Sequence, residues 1–125
     1  MRGRRESEVQ AGILAYLAMR GDCFCWRSNT AMLSPRPGAF VRFGLPGAPD
    51  IMCVQAPYGS LVGIEVKRER GGEVSEEQKR WGENLKNHGG LYVVARDVET
   101  VQAALGEEKA RVVKVRSERR YPRRP

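Results

Sequence analysis

Apolar residues recur along the N-terminal part of the chain with the period of a helix. Between residues 7 and 20 they return every three or four positions, which is typical of a helix with one buried face. This apolar stripe consists of Val9, Ile13, Tyr16 and Leu17. Ser7 is the predicted N-cap, and Gly21 is predicted to end the helix.

Short apolar and β-branched runs bounded by Pro or Gly predict the strands. These runs cover residues 23–28, 39–43, 51–54, 61–66 and 91–95. Turn-forming residues at 56–60 predict that the third and fourth runs pair as a hairpin. The last run is expected in the centre of the sheet. Two prolines and a glycine predict a loop over residues 29–38.

A second helix is predicted after a charged, glycine-rich loop. It begins with Ser75-Glu76-Glu77-Gln78, which fits a capping box, and ends at a pair of glycines. Gln78, Trp81 and Leu85 fall on one side of this helix, the side turned to the sheet.

The last predicted elements are a helix and an edge strand. The helix begins at Asp97 and ends near Leu105, and residues 111–115 are predicted as the strand. Together the elements predict one α/β domain, in which a small mixed β-sheet is flanked by helices.

Positive charge is concentrated at the C-terminal end of the chain. The 125 residues hold 22 Lys and Arg against 15 Asp and Glu, a net charge of +7. Residues 111–125 contain seven of the basic residues and one acidic residue. Such a segment attracts polyanions such as nucleic acid, although a solvated tail that aids solubility is the alternative. The candidate phosphate contacts are Arg116, Arg119, Arg120, Arg123 and Arg124.

Composition argues against several classes of protein. No apolar run is long enough for a membrane span, and the basic N-terminus lacks the apolar segment of a secretory signal. The three cysteines lie in apolar runs, which is typical of reduced core cysteines in a cytoplasmic protein. With His88 as the one histidine, a histidine-dependent zinc site or Ser-His-Asp triad is poorly supported.

Three charged residues converge at one end of the predicted hairpin. Pairing Val54 with Leu61 places Asp50 opposite Glu65, where directly opposed Cβ atoms lie about 5 Å apart. Lys67 shares the face of Glu65, because side chains alternate along a strand. Two carboxylates beside an ammonium suit a hard divalent cation. A bulge in either strand would shift this register.

Two more polar residues are candidates for the same site, and each has a structural alternative. Glu8 lies beside small residues of the first helix that leave room for it to turn inward, or it only complements the helix dipole. Gln78 reaches the site and steadies Lys67 or a bound water, or it only completes the capping box with Ser75.

Two residues that precede Asp50 are candidates for contacting a phosphate. Arg42 faces away from its apolar neighbours, and an ordinary surface arginine is the alternative. Gly47 allows close approach of the backbone to a phosphate, and a plain turn is the alternative.

Taken in order, these pieces resemble the VRR-NUC (virus-type replication-repair nuclease) family of the PD-(D/E)xK nuclease superfamily. The resemblance rests on the strings at residues 7–10, 44–50, 64–67 and 75–78, and it extends over residues 6–105. It implies a restriction-endonuclease-like core, of the type seen in Holliday-junction resolvases. It also implies a nuclease domain over residues 1–110, with residues 111–125 as a basic segment.

The resemblance implies hydrolysis of DNA phosphodiester bonds with Mg²⁺ or Mn²⁺. Asp50, Glu65 and the carbonyl of Val66 would hold the metal, and Lys67 would position the water. Glu8 is a further candidate for holding metal and water, and the resemblance favours a site role for Gln78.

In length the chain resembles the stand-alone members of the family, which occur in phages and bacteria. That form implies a cytoplasmic homodimer acting on branched DNA such as four-way junctions, with no membrane and no small-molecule cofactor. The alternative is a non-catalytic nucleic-acid-binding module that keeps the nuclease fold.

Overall fold

A four-stranded mixed sheet organises the part of the chain that the structure describes. The computed structural model describes residues 3–28, 32–33, 41–42 and 46–118, with only the backbone at 32–33 and 41–42. In chain order the elements are α1 (Glu6–Arg20), β1 (Cys23–Arg27), β2 (Met32–Leu33), β3 (Val41–Arg42), β4 (Ile51–Gln55), β5 (Ser60–Val66), α2 (Glu76–Asn87), β6 (Leu91–Ala95) and α3 (Val98–Glu118). This is the predicted α/β arrangement of a small mixed sheet with helices beside it.

The strand order in the main sheet is β1-β4-β5-β6, so β6 lies at an edge of the described sheet and the prediction that it is central is wrong. The pairs β1–β4 and β4–β5 are antiparallel, whereas β5 and β6 are parallel. A short hairpin turn joins β4 to β5 and makes them antiparallel, whereas the parallel pair needs the crossover that α2 provides. β5 therefore lies between β4 and β6, and side chains on both of its faces are buried.

The two faces of β5 pack against different helices. Val62, Ile64 and Val66 are fully buried in one apolar cluster with residues of α1 and α3. Burying each such side chain stabilises the fold by about 1.5–3 kcal/mol. On the opposite face, a Cβ added at Gly63 would lie 2.9 Å from the side chain of Leu85 in α2. Glu65 alternates onto this second face, beneath α2.

The start of α1 differs from the prediction. The N-cap is Arg5, whose side chain makes no capping bond, and Ser7 lies inside the first turn. The chain before the helix is instead bound to the residues after β5, because Glu69 and Arg4 exchange backbone and side-chain hydrogen bonds. A tertiary contact thus holds the chain just before the helix. Gly21 ends the helix in the left-handed conformation, as predicted.

A second correction concerns the segment between β1 and β4. Residues 29–38 were predicted as a loop, but Met32–Leu33 forms β2 and pairs with Val41–Arg42. The predicted strand at 39–43 is therefore present at 41–42, and its other residues lie outside the described part. A two-residue strand is too short to produce a recognisable alternation.

The largest correction concerns the C-terminal region. The predicted edge strand at residues 111–115 is wrong, since α3 continues through it to Glu118. Asp97 begins this helix as predicted, by accepting hydrogen bonds from the backbone and hydroxyl of Thr100. Glu108 is buried and accepts a hydrogen bond of 2.6 Å from Arg111, one turn further on. The helix continues through residues 112–115, whose three valines favour a strand by propensity. The predicted boundary at residue 110 falls inside α3.

In the described segments, no helix combines the length and the apolar character that a membrane crossing requires.

The three cysteines are free thiols on or beside the face that packs against α1 and α3. Cys25 lies directly opposite Cys53 in the β1–β4 pair. Burial is the main cause that raises the pKa of all three thiols. They therefore stay protonated and weakly nucleophilic at neutral pH.

Candidate active site

Asp50 and Glu65 meet where β4 begins and β5 ends. Val54 pairs with Leu61, as predicted, so the unbroken register brings Asp50 opposite Glu65. Oδ2 of Asp50 accepts the backbone N–H of Val66 at 2.7 Å. This bond fixes the Asp50 carboxylate beside β5.

Glu65 is a buried carboxylate with one unsatisfied oxygen. The residue is 2% exposed, and its Oε1 accepts a hydrogen bond of 2.6 Å from Nε2 of Gln78. Oε2 is buried and has no hydrogen-bond partner among the described residues. Burial, and then the negative charge of Asp50, raise the pKa of Glu65 to about 8, against the opposing effect of Lys67. A buried carboxyl of this kind needs a proton or a cation to become stable.

Lys67 and Gln78 complete the group, which we call the carboxylate site (Asp50, Glu65, Lys67 and Gln78). Nζ of Lys67 donates to Oε1 of Gln78 at 3.1 Å and lies 3.7 Å from Oε1 of Glu65. The backbone N–H of Lys67 donates to the carbonyl of Ala95 at the end of β6. Lys67 is therefore held at both ends, by the sheet and by α2.

Gln78 makes both sets of contacts that the sequence leaves open as alternatives. It forms the capping box with Ser75, since each residue's side chain accepts the other's backbone N–H. The same amide also contacts Glu65 and Lys67. The capping box places Gln78 in the first turn of α2, and packing of α2 on the sheet brings its amide to the two charged groups.

The site has the donors for a hard divalent cation. The described residues contain no group of three or more Asp, Glu, His or Cys side chains placed to hold a metal. Two carboxylates are nevertheless enough for Mg²⁺, which usually keeps several waters and takes further ligands from substrate phosphates. The unpaired buried oxygen of Glu65 is the observation that fits a cation, and the Val66 carbonyl lies at the same strand end.

Glu8 is not brought to the carboxylate site in this structure. Its exposed side chain pairs with Arg5 at 2.8 Å, and no contact with Asp50 or Glu65 is present among the described residues. Another acid of the same helix, Glu6, contributes to the raised pKa of Glu65. Sequence reasoning missed Glu6. The sequence carries no clear signal for Glu6, because the burial of Gln10, one turn later on the same face, is visible only in the structure.

A second residue that sequence reasoning missed is Tyr92. Its hydroxyl is buried without a hydrogen-bond partner in the described structure, and its ring packs against Gly82 of α2. Burial, followed by the charges of Glu65 and Asp50, raises the pKa of Tyr92 to about 12. The phenol therefore stays protonated beside the carboxylates.

Of the candidate phosphate contacts, only Gly47 and Arg116 lie in the part of the chain whose side chains are described. Gly47 has a φ of +82°, and an added Cβ would lie 2.7 Å from the carbonyl of Glu77, so Gly47 lets the turn pass against α2. Arg42 lies in β3, where only the backbone is described. The guanidinium of Arg116 lies 4.6 Å from the centre of the Tyr58 ring, at the opposite end of the hairpin from the carboxylate site. Arg119, Arg120, Arg123 and Arg124 lie outside the described residues.

Comparison with known proteins agrees with this geometry. A solved structure described as a VRR-NUC domain is 20% identical to the chain, with a TM-score of 0.58 over 82% of this chain and 96% of that one. This likeness supports the restriction-endonuclease-like core. No curated protein matches the chain. The family model of the VRR-NUC domain matches residues 5–99, most of the sequence. The chain therefore belongs to the VRR-NUC family of nucleases.

Proposed function

We propose that this protein is a Mg²⁺- or Mn²⁺-dependent endonuclease that hydrolyses phosphodiester bonds in DNA. The observation that carries the proposal is the buried, unpartnered Oε2 of Glu65 opposite Asp50. A carboxylate oxygen withdrawn from water without a protein partner is costly unless it binds a proton or a cation. Asp50, Glu65 and the Val66 carbonyl would hold the ion.

A divalent ion held there would polarise the scissile phosphate and lower the pKa of a bound water. Asp50 and Glu65 would be its charged ligands, with Asp50 held in place by the Val66 N–H. In the reaction the water oxygen bonds to phosphorus as a phosphoester P–O bond breaks, and the departing oxygen takes a proton from solvent. The ammonium of Lys67 positions the water and stabilises negative charge that develops on the phosphoryl oxygens.

Gln78 supports this chemistry by holding Lys67 and Glu65 in fixed relative positions. Its Oε1 accepts from Lys67 while its Nε2 donates to Glu65. The amide therefore orients one donor and one ligand at once, without carrying charge itself. The contribution of Glu8 to metal or water binding stays a prediction, and Glu6 is the acid of α1 that acts electrostatically on Glu65.

DNA is the proposed substrate, with a preference for branched forms such as four-way junctions. The basic C-terminal segment supports attraction of a polyanion. Branch selectivity and a homodimeric state rest on the resemblance to stand-alone members of the family. A cytoplasmic location is also proposed, because reduced cysteines are typical of that compartment.

The test is incubation with labelled four-way junction, flap and linear duplex DNA in Mg²⁺, Mn²⁺ or EDTA. We expect cleavage of the branched substrates with either metal and none in EDTA. Glu65→Gln is the matched control, because it keeps the shape of the side chain and removes the charge. DNA binding with no cleavage in either metal would favour the non-catalytic module instead.

A further inference from the structure

The loop between Lys67 and Ser75 joins the two elements that form the carboxylate site. Its residues have no helix or strand conformation, and it contains two successive left-handed glycines, Gly71 (φ +78°) and Gly72 (φ +74°). Ordering such a loop costs conformational entropy, about 1–2 kcal/mol for each residue. Its shape must therefore be imposed by contacts from other elements.

Arg96 makes those contacts from the end of β6. Its guanidinium donates hydrogen bonds to three backbone carbonyls of the loop. These are the carbonyls of Arg68 at 2.9 Å, of Gly72 at 2.7 Å, and of Gly71. A planar guanidinium presents its donors in a fixed fork, so three carbonyls bound together have little freedom to move.

The bound loop lies directly against Lys67. A Cβ added at Gly72 would lie 3.9 Å from Cδ of Lys67. The residue before Arg96, Ala95, accepts the backbone N–H of Lys67 at 2.9 Å. Two residues at the end of β6 thus hold this region. Ala95 binds the backbone of Lys67, and Arg96 binds the loop that follows Lys67.

We propose that Arg96 is a positioning residue for the nuclease reaction, acting through the loop at residues 68–72. By fixing this loop, Arg96 sets the position of the β5 end, which carries Lys67, relative to the first turn of α2, which carries Gln78. The Lys67–Gln78 distance of 3.1 Å depends on that alignment. The inference rests on the proposed function, because the positioned groups are those assigned to catalysis.

The expected consequence is a loss of turnover more than a loss of binding. Misplacing a catalytic group by about 1 Å can cost about 100-fold in rate. The loop lies outside the apolar core, and Gly71 is exposed, so water can replace the lost hydrogen bonds. For Arg96→Ala we therefore expect kcat to fall by about 10- to 100-fold with KM close to wild type.

The experiment measures kcat and KM for cleavage by Arg96→Ala, Arg96→Lys and Arg80→Ala. Arg80 is an exposed residue of α2, so Arg80→Ala removes the same charge without touching the loop. We expect both Arg96 variants to lose kcat, because lysine keeps the charge but lacks the fork. Added guanidinium ion should partly restore Arg96→Ala and leave Arg80→Ala unchanged. Wild-type kcat in Arg96→Ala, or full activity in Arg96→Lys, would overturn the inference.

Amide hydrogen exchange separates this inference from the proposed function. If the wild type cleaves no DNA with any metal, the proposed function fails, and the exchange rates still test the role of Arg96. Faster exchange in Arg96→Ala confined to residues 67–74 would support it, and unchanged exchange there would refute it. Should Arg96→Ala fail to fold, Arg96→Gln provides the same comparison with a partial replacement of the donors.

Discussion

Nε2 of Gln78 donates a hydrogen bond of 2.6 Å to Oε1 of Glu65, which joins the first turn of α2 to the buried face of β5. The oxygen of the same amide accepts from Lys67 and from the backbone of Ser75. One uncharged side chain therefore links a helix cap, a metal-ligand candidate and the site's ammonium. The position of α2 and the geometry of the carboxylate site cannot change independently.

Removing any charged member of the carboxylate site should abolish cleavage while the fold remains. We expect Asp50→Ala, Glu65→Ala and Lys67→Ala each to lose activity, because each removes a ligand or the ammonium. Stability should change little or increase for Glu65→Ala, since a buried, unpaired oxygen is lost. Cleavage assays in Mg²⁺ with thermal melts test this. If Lys67→Ala cuts as fast as wild type, the assignment of Lys67 is wrong.

The stability of the metal-free protein should depend on pH through Glu65. The pKa of Glu65 is raised from 4.5 to about 8, chiefly by burial, so between these values the folded state holds a proton that the unfolded chain has released. The free energy of unfolding should therefore fall as pH rises from about 4.5 to about 8.

Denaturant titrations in EDTA across this range measure the effect, with Glu65→Gln as the control that cannot titrate. The decrease should be smaller in Glu65→Gln, and Mg²⁺ should restore stability to the wild type at the alkaline end. The same pH dependence in both proteins would show that Glu65 does not titrate as inferred.

Gln78→Ala should lower the cleavage rate more than it lowers stability. Loss of a capping contact costs about 1 kcal/mol, whereas loss of the amide also releases Lys67 and Glu65. Ser75→Ala is the matched variant, because it removes the cap's hydroxyl and leaves the Gln78 amide. Equal stability losses in the two variants, with unchanged turnover in Gln78→Ala, would mean that Gln78 is only a cap.

Glu6 and Glu8 provide a paired test within one turn of α1. Glu6 acts on the pKa of Glu65, whereas Glu8 pairs outward with Arg5. We therefore expect Glu6→Gln to change the metal concentration needed for half-maximal cleavage, and Glu8→Gln to change it less. A larger change in Glu8→Gln than in Glu6→Gln would instead assign the role at the site to Glu8.

The basic C-terminal segment should contribute to the affinity for DNA but not to catalysis. Truncation before Arg116 removes five arginines, and each lost phosphate contact should reduce the slope of log K against log salt by about 0.9. A second truncation, after Glu118, keeps all of α3 and the contact between Arg116 and Tyr58. DNA affinity measured across salt concentrations distinguishes the two truncations. Cleavage at saturating DNA should persist in both truncated proteins.

An unchanged slope and affinity after both truncations would rule out a DNA-binding role for the segment. The nuclease proposal would survive that result, because the carboxylate site lies at the opposite end of the hairpin from Tyr58.

The arrangement of the carboxylate site was readable in large part from local patterns. Alternation and turn residues predicted the hairpin register, which brings Asp50 opposite Glu65, because pairing in a short hairpin has few alternatives. The capping box of Ser75 and Gln78 was equally local, since it depends on residues three apart. The four motif strings together indicated the family.

Tertiary packing decided the rest. The second set of contacts of Gln78 exists because α2 lies over Gly63 and Glu65, and the sequence leaves the angle of a helix on a sheet open. Tertiary hydrogen bonds between Arg4 and Glu69 tie the chain before α1 to the residues after β5, and Glu8 pairs outward with Arg5 in the helix that follows. α3 also extends through exposed residues with strand propensity, where Arg116 reaches the ring of Tyr58 in the hairpin turn, because local preferences are weak enough for such distant contacts to matter.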